Sequence, residues 1–172
     1  MAFTVEDGTI VADATSYVTL AYADGYFAID INASANWSAL VDADKEKYLM
    51  AATRILDQKV RWKGVKVDET SALRWPRSGV YDRDNILIDD TEIPDQLKEV
   101  VCEMAKYLLS GEDPTVGIGA EAIKRIKADV VEVEYQDGMM QTTVPSFFHN
   151  LLRGIGSYPS AFGHQFQRII KV

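Results

Sequence analysis

The chain has 172 residues, 47% of them apolar and 26% charged, with a formal net charge of −8. This is globular composition at a length that can bury a core, and no run approaches the roughly 18–20 apolar residues of a membrane span. The single cysteine, Cys102, excludes a disulfide framework, and the opening Met1–Asp7 lacks the blocks of a secretion signal, so synthesis in the cytoplasm is expected. The acidity argues against a protein that lives by phosphate contacts, which ordinarily shows a basic face. It is also uneven. Between Gln141 and Val172 there is no Asp or Glu, and Arg153, Arg168 and Lys171 contribute +3 to the total of −8, leaving −11 for the rest.

Phe3 to Val18 suits short extended pieces with a turn at Asp7-Gly8. Thr19 is placed to cap a short first helix in which Leu20, Ala23 and Phe27 share a face. Ile29 to Leu40 reads as a loop that pins Trp37. A second helix starts at Asp42 or Asp44 and reaches about Trp62, with Tyr48, Ala52, Ile55, Leu56, Lys59 and Trp62 inward and Gly64 as its stop. Leu73 to Val80 holds Trp75-Pro76 and Ser78-Gly79, a rigid corner with one large apolar plate.

An acidic stretch follows, then the clearest amphipathic helix of the chain. Leu97, Val100, Val101, Met104, Ala105 and Leu108 form one stripe, Pro94 takes the first helical position, and Gly111 with Pro114 ends it. Cys102 beside the stripe reads as a buried, inert thiol. Ile126 to Tyr135 alternates as a strand, Asp137-Gly138 signals a hairpin turn, and Met139 to Val144 returns as its partner. Pro145 opens a short helix with Phe147, Phe148, Leu151 and Leu152. Beyond Gly154 runs a tail with Tyr158, Phe162, Phe166, Ile169 and Ile170. The expected fold is mainly α: a helical bundle over 1–114, a β-hairpin and short helix over 115–153, and an extended C-terminal arm over 154–172.

Chemistry is sparse. His149 and His164 have no Cys or carboxylate cluster beside them, so no metal site is expected, and no nucleophile elbow, phosphate loop or dinucleotide fingerprint occurs. Asp82, Asp84, Asn85, Asp89, Asp90 and Glu92 fail as a calcium loop, because Leu87 and Ile93 stand where the turn glycine and the bidentate Glu belong. No catalytic residue and no cofactor is expected. Arg74, Trp75 and Arg77 admit two readings, a stacking platform for single-stranded nucleic acid or a structural corner tied to the acidic loop. The aromatic tail, with Phe147, Phe148, Leu151 and Leu152 before it, suits a partner-binding arm.

Ser16-Tyr17-Val18, Ala52-Thr53-Arg54-Ile55-Leu56-Asp57, Arg61-Trp62-Lys63-Gly64, Leu73-Arg74-Trp75-Pro76-Arg77-Ser78-Gly79 and Ile93-Pro94 stand in an order that resembles the DnaT-like phage proteins. These are similar in turn to the head–tail connector (adaptor) proteins of tailed phages. That resemblance implies a structural virion protein of the neck, assembled in the host cytoplasm as a homo-oligomeric ring of about twelve copies. It would bridge the portal protein to a tail or head-completion protein. Genomic DNA would pass through an acidic lumen without specific binding, and no membrane would be involved. The alternative is a single-stranded DNA-binding module of the DnaT-like type.

Overall fold

The computed structural model describes residues 2–112, 114, 126–128, 131–133, 145 and 147–158. Its core is built on two helices, α3 (Asp42–Lys59) and α4 (Asp95–Leu109), with α1 (Leu20–Ala28) and α2 (Ser34–Ser38) at one side. The dense apolar stripe of α4 does what its period requires. Leu97, Val100, Val101, Met104 and Ala105 are fully buried, against Leu49, Ala52, Ile55 and Leu56 in the same cluster. Cys102 is buried too, and burial pushes its thiol up, which suits an inert side chain.

The helix ends follow local chemistry, with small departures from the expected positions. The Thr19 side chain accepts from the Tyr22 N–H at 3.1 Å and caps α1. Val41 and Pro94, rather than an aspartate or a residue before Pro94, occupy the caps of α3 and α4, and Asp42, Asp44 and Asp95 lie in the first turns. Residues 29–40 contain α2 where a loop is expected. The Asp30 carboxylate accepts from the Asn32 and Ala33 amides, folding the chain tightly enough to start a turn of helix. Trp37 is pinned as expected. Its indole N–H donates to Asp24 at 2.8 Å, and the buried Lys45 ammonium pairs with the same carboxylate at 2.9 Å.

The second helix stops three residues before Trp62. Val60 is extended, and Arg61–Trp62 (β1) pairs antiparallel with Gly156–Ser157 (β6), Arg61 opposite Ser157 and Trp62 opposite Gly156. A long-range ladder therefore overrides the helical pattern locally. Val65–Lys66 (β2) pairs with Arg77–Ser78 (β3), and Gly64 between β1 and β2 is required there. Its φ is +65°, and a Cβ would stand 2.2 Å from the Ser78 carbonyl oxygen.

Ile126–Ala128 (β4) pairs with Val131–Val133 (β5), Ile126 opposite Val133. Within what reads as one strand over 126–135, residues 126–128 and 131–133 are thus two strands paired with each other. The expected turn at Asp137-Gly138 and the strand over 139–144 lie outside the described residues. Phe147–Leu151 forms α5, and Phe148, Leu152 and Ile155 close the core. The fold is mainly helical with small antiparallel hairpins. No helix among the described residues is long and apolar enough to cross a membrane.

Candidate nucleic-acid interface

Trp75 is fully buried, its ring edge-on to Trp62 at 6.0 Å, and the Trp75–Pro76 peptide is cis. It offers no face to a base. The corner it anchors is tied to the body by two residues far off in sequence. The Tyr17 hydroxyl donates to Asp57 at 2.8 Å and accepts from the Arg74 and Trp75 amides at 2.9 and 3.1 Å. Asp57 Oδ2 accepts from the Arg74 amide as well, at 3.0 Å. Burial raises the Asp57 carboxyl above its ordinary range, although hydrogen bonds from Tyr17 and the Arg74 amide pull the other way. Burial and the adjoining Asp57 push the Tyr17 hydroxyl well up.

Arg77 completes the corner from the other side. Its guanidinium donates to the carbonyls of Lys63 (2.5 Å), Gly64 (2.7 Å) and Arg74 (3.1 Å), clamping the β1–β2 turn to the Trp-Pro segment. Three residues of the Arg74-Trp75-Pro76-Arg77 run therefore divide the work. Trp75 fills the core, Arg77 binds carbonyls, and Arg74 projects its side chain to the surface.

Arg74 lines a groove of about 730 Å³ between α3 and the corner. Lys47, Arg54 and Gln58 come from one face of α3 with Ala51, at the spacing of successive turns, and Lys66 comes from β2. Met50, Ala51, Ala72 and Leu73 give it apolar walls. Four cations, Lys47, Arg54, Lys66 and Arg74, meet one carboxylate, Asp57, which is already committed to Tyr17 and the Arg74 amide. Among the described residues Arg54 and Arg74 have no ion-pair partner, while Lys47 pairs with Asp44 at 2.7 Å. The groove is thus a local basic patch on an acidic protein, suited to phosphate oxygens.

Of the residues expected to bind a partner, Phe148 and Leu152 are fully buried and Tyr158 is 8% exposed, all inside this chain's own core. Leu151 is half-buried and Phe147 is 39% exposed. Phe162, Phe166, Ile169 and Ile170 lie outside the described residues. The acidic loop is exposed, its carboxylates turned on its own amides: Asp82 accepts from Asp84 and Ile86, and Asp89 from Thr91. No group of three or more metal-ligating side chains occurs among the described residues.

A signal for the groove exists in the sequence only as scattered pieces. Tyr17, Arg54, Asp57 and Arg74 all belong to the segments on which the family resemblance rests, and the fold brings them to one place. Neither Tyr17 nor Asp57 is singled out as a site residue by sequence reasoning, because an interaction across forty residues leaves no local pattern.

The family model described as "Putative DnaT-like ssDNA binding protein" matches residues 1–169. Comparison with curated proteins and with solved structures found no match. The matched family overturns the expectation of a head–tail connector, a structural virion protein, since nothing in the match indicates a connector. The physical reason is plain. That expectation took the net charge as a property of every face, and the groove beside α3 has the opposite sign.

Proposed function

The chain belongs to the DnaT-like ssDNA binding family, and we propose that it holds single-stranded nucleic acid by its sugar–phosphate backbone in the groove beside α3. The observation that carries this reading is the cluster of Lys47, Arg54, Lys66 and Arg74 around a single, internally bonded carboxylate, on a chain of net charge −8. Phosphate contacts made by side chains of this kind release counterions and are indifferent to base sequence. The acidic remainder would keep the strand off the other faces.

The roles divide by position. Arg54 and Arg74, without ion-pair partners among the described residues, supply fork-shaped donors to phosphate oxygens. Lys66 holds the Ser71 carbonyl at 3.0 Å and so adds charge from a fixed position. The Tyr17–Asp57 link positions the Arg74 backbone. Titration of a labelled oligonucleotide at several salt concentrations tests the reading. Affinity should fall linearly on a log–log plot, with a slope of about −0.7 per phosphate contacted. Binding that ignores salt, or no binding at low salt, would refute it.

A further inference from the structure

A second concavity adjoins the groove. It measures about 500 Å³ and is lined by Leu40, Asp44, Lys47, Tyr48, Leu108 and Glu112, with Ala51 and Gly111. Lys47 and Ala51 line both cavities, so the two meet across one turn of α3. At that crossing Ala51 presents only a methyl group, and Lys47 beside it is drawn to Asp44.

The two hollows differ in chemistry. The groove gathers four cations about one bonded carboxylate; the cleft has two carboxylates, Asp44 and Glu112, and one cation already paired with Asp44. Phosphate is repelled from the cleft. Its walls are the half-buried ring of Tyr48 and the side chains of Leu40 and Leu108, an environment for a flat, neutral, largely apolar group. Trp75, the aromatic residue that sequence reasoning offers for stacking, is fully buried. Tyr48 is the aromatic residue lining these two cavities.

We propose that the cleft is a base-stacking subsite: one nucleobase of the strand held in the groove lies against Tyr48 between Leu40 and Leu108. This rests on the groove reading of the previous subsection. Tyr48 and Arg54 are six residues apart on α3, about 9 Å along the axis and about 120° around it, a path of roughly four stacked nucleotides over Ala51. A strand with phosphates on Arg74, Lys66 and Arg54 therefore reaches Tyr48 with its next bases. Binding through ring faces accepts any base, which fits a site without a base-edge reader.

The test compares full-length wild type, Tyr48→Ala and Tyr48→Phe on labelled single strands, with an abasic strand of equal length as second probe. Stacking of one base predicts that Tyr48→Ala weakens binding about 5- to 150-fold with the salt slope unchanged, and that Tyr48→Phe stays near wild type. Wild type should lose a similar factor on the abasic strand, a comparison that needs no variant to fold. Equal affinity of wild type for normal and abasic strands, with a normal salt slope, overturns the subsite and leaves the groove standing. A missing salt slope in wild type overturns the groove reading and the subsite with it.

Discussion

The groove beside α3 and the acidic segment 81–92, a hairpin closed by the antiparallel Tyr81–Leu87 bridge, use the same device to opposite ends. In both, carboxylates accept backbone amides. In the hairpin the amides are neighbours: Asp82 holds Asp84 and Ile86, and Asp89 holds Thr91. Asp84, Asp90 and Glu92 stay exposed beside Ile86 and Leu87, which are 64% and 59% exposed. In the groove the carboxylate of Asp57 reaches the Arg74 amide seventeen residues away and shares it with Tyr17. A local turn thereby leaves negative charge on the surface, whereas the long-range tie holds down a single carboxylate that the groove's cations outnumber. Charges separated by more than about 8–10 Å are screened from one another at ordinary salt, so each face acts on its own sum. Net charge describes solubility; the face describes the partner.

The strongest way to break this contrast is to remove the plug under the corner. Trp75→Ala should cost about 3–5 kcal/mol in urea unfolding, from lost burial and the cavity left behind. Any fall in strand binding should then track the unfolded fraction, because Trp75 has no exposed surface to give a base. Next in size is the double variant Arg54→Ala/Arg74→Ala. It should lower affinity at low salt by roughly 10- to 100-fold and make the salt slope shallower by about 1.4, that is two single-strand phosphate contacts. Asp84→Ala/Asp90→Ala in the hairpin should change binding by no more than about twofold, and a large effect there would invert the comparison.

A fourth test lies away from both regions. The hydrogen bond from Lys106 at 2.5 Å holds the Asp30 carboxyl below its ordinary value of 3.8. A depressed carboxyl contributes stability that is present above that ordinary value and lost as pH falls through the folded one. Asp30→Ala should therefore cost about 1–2 kcal/mol at pH 7 by urea unfolding, and the difference from wild type should shrink below pH 4. Asp57→Asn should have a modest effect of the opposite sign on binding. Burial raises the Asp57 carboxyl, so its contribution to stability is present below the ordinary carboxyl range and lost as pH rises through the raised value. A neutral amide should be tolerated at pH 7 while strand affinity rises about two- to fivefold, since one negative charge leaves the groove. A drop in affinity would mean that the carboxylate itself is needed by the ligand.

What was legible in the sequence was whatever has a period or a local cause. The α4 stripe from Leu97 to Ala105 is buried as its spacing requires, Thr19 caps α1, and Gly111 sits at positive φ where the chain leaves α4; Gly64, expected to stop α3, instead turns the chain between β1 and β2. The groove has neither. Its cations come from positions 47, 54, 66 and 74 on three different segments, and Arg74 joins the others because Tyr17 and Asp57, forty residues apart, hold its backbone. The β1–β6 pairing, which takes Ile155 and Tyr158 into the core, likewise joins segments about ninety-five residues apart. Which way Trp75 faces, inward to Trp62 or outward to a strand, is decided by packing and not by the Arg-Trp-Pro-Arg string.

Photo-crosslinking of a single-stranded oligonucleotide to the full-length protein, with the attachment sites mapped by mass spectrometry, tests the central claim most directly. Attachments should concentrate on peptides spanning residues 47–58 and 66–74. Attachments centred on residues 81–92, or spread evenly over the surface, would contradict it.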